Sequence, residues 1–229
     1  MAAQLVETAR GNLSWLGQSE AAPLEGLRTR LTHRRDARYV ELVDAMIQSQ
    51  RIYRPFSGGD GEAWFANVER ETLMKQSFLA HYREAERADG TPPRVLLKFG
   101  GYHIYRGATP TMAQGLGGFV NEFAVQNGAS SLSIYAACGP GSATAGFAGP
   151  PTPCDEGFAE TWSFLASYVS ADEITVFDLR AWKLRPRRWS HLPADARQLI
   201  ASFDLLVVIP NARASEFLPG VTPPSPPPS

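Results

Sequence analysis

Apolar residues along the chain change their spacing near residue 90. Before it they recur at three- and four-residue intervals, as an amphipathic helix requires. Leu24, Leu27 and Leu31 form one such set, and Tyr39, Val40, Val43, Met46 and Ile47 a second, over Asp36 to about Gln50. The stretch Pro55 to Gly61 predicts a break. A long helix is predicted from Glu62 to about Ala88, with Phe65, Val68, Leu73, Met74, Phe78 and Tyr82 as its stripe, and Asp89 to Pro93 as its stop.

Beyond residue 90 short apolar runs alternate with helical patterns. Val95–Phe99, Ser131–Ala136, Ile174–Asp178 and Asp204–Ile209 read as strands. Leu116–Gln126, Phe158–Val169 and Ala194–Phe203 read as helices. Such alternation predicts an α/β fold with right-handed crossovers. The expected architecture is three-layer, with a mostly parallel sheet of about four strands and an N-terminal helical portion packed against it. The corresponding division is 1–60 helical, 61–219 α/β, and 220–229 a Pro-rich tail, disordered or in polyproline II.

Composition narrows the function classes. The 229 residues fit one domain or one plus an appendage, at roughly 150 residues per domain. A hydrophobic share of 44% supplies a sizeable core. With Lys+Arg at 22 and Asp+Glu at 23, the net charge of −1 gives no reason to expect nucleic acid or an anionic membrane as partner. Leu205–Ile209 falls far short of the roughly 18 to 20 apolar residues of a membrane span. The first twenty residues lack a basic stretch followed by an apolar one, so no signal peptide and a cytoplasmic location are expected. The two cysteines, Cys138 and Cys154, make no CxxC; a single bridge between them stays open.

The segment Lys98 to Gly107 carries the strongest chemical signal. It follows a predicted strand, at the carboxyl edge where open α/β sheets bind small molecules. Gly100 and Gly101 allow close backbone approach to a ligand. His103 suits a general base or a ligand to a divalent metal, and Arg106 suits a developing negative charge. The plainer reading is a packed histidine and a surface arginine. Asp178 either orients His103 or forms a turn or cap, with the same ambiguity for Arg180. Arg70 and Glu71 are either helix-surface charges or, for Glu71, a partner for His103. Gly115-Leu116-Gly117-Gly118 lacks the context of a P-loop and fits a closely packed helix start. Ser142 is not in a nucleophile elbow. The basic stretch Lys183 to Trp189 is a charged surface loop or a seat for an acidic or phosphorylated ligand.

Gly100-Gly-Tyr-His103 resembles the second GxxH-type motif of the erythromycin-esterase-like and Tiki/ChaN-like superfamily. Arg70-Glu71 with Met74 is similar to its R-E-x-x-M helix, and Asp178-Leu-Arg180 and Asp204 to Pro210 to its last two strands. No upstream Gly-Glu pair is followed by a histidine, so the resemblance is to the C-terminal half of that fold or to a reduced relative. It implies a hydrolase-like site in which His103 activates water and Glu71 or Asp178 orients it. Arg106 then stabilises the anion, and Gly100, Gly101, Arg70 and Arg180 contact the ligand. A divalent metal is compatible with it. The chain alone is then expected to be a poor enzyme that self-associates through an open sheet edge or covers it with N-terminal helices. The competing expectation is a non-catalytic ligand-binding or remnant domain, completed by another chain.

Overall fold

The computed structural model describes residues 22–31, 37–58, 62–107, 109–139, 141–144, 151–154 and 161–214. The Pro-rich tail lies outside them. The described residues divide into two compact units, one up to Thr72 and one from Leu73 onward, with the junction inside a helix.

The first unit is helical, as the spacing predicts. It contains α1 (Ala22–Arg30), α2 (Ala37–Gly58) and the first part of α3 (Glu62–Asp89). Leu24, Val43 and Ile52 are buried. Arg28 Nε donates to Asp44 Oδ1 at 2.7 Å, pinning α1 to α2. Helix α2 runs through Pro55 instead of stopping there.

In the second unit a mixed α/β arrangement surrounds a three-stranded sheet. Its order is β1 (Ile134–Cys138), β5 (Leu205–Ile209), β4 (Thr175–Asp178). The β1–β5 pair is parallel and the β4–β5 pair antiparallel. The expected four-stranded, mostly parallel sheet is therefore corrected. Val95–Phe99 has no regular secondary structure and joins no ladder among the described residues. β4 turns the other way because the chain leaves it and enters β5 at the same edge, where Asp178 lies opposite Leu205. Short helices α5 (Arg180–Lys183), α6 (Pro186–Trp189) and α7 (Ala194–Ser202) make this return without crossing the sheet. A second, two-stranded antiparallel ladder joins β2 (Ser142–Thr144) to β3 (Pro151–Pro153). A disulfide links Cys138, at the end of β1, to Cys154, just past β3, with Cα atoms 5.5 Å apart.

One face of the sheet is packed and the other is not. Side chains alternate across a strand, so Tyr135, Leu206 and Phe177 form one row and Ala137, Val208 and Thr175 the next. Leu206 and Val208 are fully buried there, against Phe203, Ile200, Leu199, Leu179, Trp162 and Leu165. On the opposite face Ile134, Val176 and Ile209 stay partly exposed. The layering is thus helices on one face, not the expected three layers. Of the predicted helix Phe158–Val169, residues 161–162 are α-helical and Ser163–Tyr168 continue as a 3-10 segment, with residues 158–160 outside the described set.

Helix α4 (Leu116–Gln126) packs on the second part of α3 through Phe123, whose ring lies 5.5 Å from Phe78 and 4.9 Å from Tyr82. Its glycine-rich start serves contact with the backbone before it. A Cβ on Gly117 would collide with the Ile104 carbonyl, which only glycine avoids.

Candidate functional site

Of the predicted residues, Arg106 and Asp178 fall at the edge where β1 and β5 begin and β4 ends, the amino edge of the parallel β1–β5 pair. Its centre is Asp204, the residue before β5. Arg106 grips its carboxylate with a fork: Nη1 donates to Oδ1 at 2.8 Å and Nη2 stands 2.6 Å from Oδ2. Lys183 Nζ donates to Oδ1 at 3.1 Å, and the Ser133 backbone N–H to Oδ2 at 2.9 Å. The Asp204 main chain is used as well, its N–H donating to the Ser133 carbonyl and its carbonyl accepting from Leu179. One aspartate thus ties the starts of β1 and β5 to the end of β4, to α5 and to the segment after His103.

Arg106 is held from a second side. Its Nη2 donates to the Ser131 carbonyl at 2.7 Å and lies 3.1 Å from Ser131 Oγ, which donates to Asn121 on α4 at 2.9 Å. The side chains are 8% exposed for Asp204, 18% for Arg106 and 25% for Lys183, so the cluster sits mostly out of water. Burial pushes the Asp204 carboxyl up, but the Ser133 N–H, Lys183 and Arg106 outweigh it and hold it below the usual carboxylate range. Tyr105, next to Arg106 in the chain, is pushed up to about 12, first by burial and then by Tyr135, Tyr102 and Asp195.

The other predicted residues are distributed more widely. Asp178 accepts from the Arg180 backbone N–H at 3.0 Å and from its Nε and Nη2 at 2.9 and 2.7 Å, making the local turn at the start of α5. That exposed pairing holds Asp178 down at about 2. His103 lies half-buried in a 3-10 turn, Gly101–Ile104. Its N–H donates to the Gly100 carbonyl at 3.0 Å, and its ring lies edge-on to Phe99 with centroids 6.3 Å apart. Gly101 lies under the Tyr135 ring, which a Cβ there would approach to 3.1 Å. Glu71 and Arg70 belong to the first unit, where Glu71 is buried and Arg70 Nη2 donates to Asn67 at 2.8 Å. Among the described residues no group of three or more His, Cys, Asp and Glu side chains suits a metal ion, so the residues on view do not fit the divalent metal.

Sequence reasoning missed Asp204 and Lys183 as members of this cluster. The available signal was an aspartate set directly before a buried apolar run, where a charge needs a partner.

A groove opens beside the cluster. Its cavity of about 430 Å³ is lined by Val95 and Leu97 on the segment after α3, Phe123 and Val120 on α4, and Leu132 and Ile134 at β1. Arg106, Ser131 and Ser133 stand in its wall as polar groups. An adjoining cavity of about 560 Å³ shares Val95 to Leu97 and reaches Met74 and His81 on α3.

No known protein family, characterised protein or solved structure matches this chain. No helix among the described residues is long and apolar enough to cross a membrane.

Proposed function

We propose that the second unit is a non-catalytic ligand-binding domain that takes a small, largely apolar molecule in the groove between Val95–Leu97 and Leu132–Ile134. The groove itself carries the reading. Its volume of about 430 Å³ lies within the roughly 300–1,000 Å³ of small-molecule sites, and its lining combines an apolar floor with a few polar groups. Arg106 orients rather than reacts in this reading, because Asp204 offsets its charge and Ser131 fixes its position. Nile red, a neutral dye that brightens in apolar clefts, tests it. Wild type should enhance the dye's emission, and Val120→Trp, which fills the groove, should abolish most of the enhancement. Unchanged emission in the variant overturns the reading.

The hydrolase reading implied by the resemblance rests on His103, half-buried beside Gly100 and Phe99. An ester panel on wild type and His103→Ala separates the two proposals, since general-base catalysis is worth about 10²–10⁴ in rate. Turnover that disappears with the histidine would replace ligand binding by hydrolysis. A second copy of the chain is the further partner we propose. Among the described residues β1 pairs on one side only, and Leu132 and Ile134 beside that edge are exposed, the situation in which strands add to strands. Sedimentation at the monomer mass at every concentration would exclude it. The Cys138–Cys154 bridge weighs against the cytoplasmic location, because cytosolic reductants keep thiols open.

A further inference from the structure

The basic stretch Lys183 to Trp189 remains outside the groove and, apart from Lys183, outside the Asp204 cluster. It borders a separate cavity of about 420 Å³ on the helical side of the sheet. The walls are aromatic: Phe164, Tyr168, Phe177 and Trp182 all line it, and the Phe164 and Trp182 rings lie 5.4 Å apart. Tyr168 is 71% exposed, so this wall stands open to water instead of being consumed by the core. Trp189 steadies the site by donating its indole N–H to the Trp182 carbonyl at 2.8 Å.

Among the described residues the polar part of the lining is Arg188 and His191, with no carboxylate. Asp178, at the end of β4, and Asp204, before β5, are committed to Arg180 and to Arg106 with Lys183. Among the described residues the Arg188 guanidinium makes no ion pair or side-chain hydrogen bond. Arg185 and Arg187 add positive charge from the same short segment. Flat aromatic walls favour a flat π-system, and an unpaired guanidinium favours a carboxylate or phosphate.

We propose that this cavity is a binding site for a planar aromatic anion of one or two rings, its ring between Trp182 and Tyr168 and its charged group at Arg188, with the His191 imidazole beside it. Calorimetric titration of the full chain with 1-naphthoate, 1-naphthyl phosphate, neutral 1-naphthylmethanol and cyclohexanecarboxylate tests the assignment. Both aromatic anions should bind about tenfold or more tightly than the alcohol, the effect of one charge-assisted contact. The saturated carboxylate should bind more weakly than naphthoate. The ratio between naphthoate and naphthyl phosphate tells which anion the site prefers.

Arg188→Gln, at an exposed position that leaves the fold intact, should bring the anions down to the level of the alcohol. Tyr168→Ser should weaken all aromatic probes while sparing the difference between anion and alcohol. Equal binding of anion and alcohol by wild type, unchanged naphthoate affinity in Arg188→Gln, or no binding of any probe would each overturn the proposal.

Discussion

Two aspartates at one edge of the sheet use the same partner chemistry to different ends. Asp178 closes β4 and Asp204 opens β5, and each pairs with an arginine through both carboxylate oxygens. Asp178 faces water and holds a residue two positions away. Asp204 is buried and gathers groups from β1, α5 and the segment after His103. The exposed pair shapes a turn, whereas the buried one fixes how distant parts of the chain meet. The difference follows from burial: in water the Asp178 pair replaces hydration of nearly equal worth, while Asp204 has no alternative to its donors.

Removing the buried carboxylate is therefore the most damaging change. Asp204→Ala should lower unfolding free energy by about 3 kcal/mol, the low end for a broken buried ion pair because Arg106 and Lys183 keep some access to water. Urea denaturation followed by circular dichroism measures it, and a loss no larger than that of Asp178→Ala would collapse the contrast. Acid comes next. The Asp204 carboxyl is held below its unfolded value, so its contribution is complete above about pH 4. It is lost as pH falls through the lowered folded value. Stability measured from pH 6 downward should fall in that window, and Asp204→Asn should flatten the fall.

Lys183→Met is expected to cost about 1 kcal/mol, since it removes one donor and leaves the Arg106 fork in place. The smallest effect belongs to the exposed pair. Arg180→Gln should leave the urea midpoint unchanged yet raise the Asp178 pKa from about 2 toward its ordinary value, read by carbon NMR titration. A shifted midpoint would mean that the exposed pair, too, holds tertiary structure.

The same contrast explains what the sequence discloses. Asp178 as a turn former is legible because its partner is two residues away. The Arg106–Asp204 contact spans 98 positions, and no periodicity reports it. Helix α4, helix α7 and strands β1, β4 and β5 follow from apolar spacing, because each buries one face locally. The direction of β4 does not, since it depends on where the chain returns. Val95–Phe99 has the composition of a strand, but a strand also needs a neighbour, and that condition is tertiary. The 3-10 form of Ser163–Tyr168 is likewise hidden: its apolar residues suit either helix type. Of the candidate site, Arg106 was readable as a residue of consequence, though the structure turns its charge inward to an aspartate.

The central place of β5 in the sheet sets a schedule for synthesis. Both β1 and β4 pair with β5, and Ile134 of β1 meets Leu205, made 71 positions later. At about 5–20 residues per second a ribosome needs roughly 4–14 s to cover that interval. Through those seconds the nascent β1 waits without its ladder, with the apolar Val95–Phe99 already synthesised upstream. The window is long enough for a chaperone to engage both apolar segments before the last strand arrives to close the sheet.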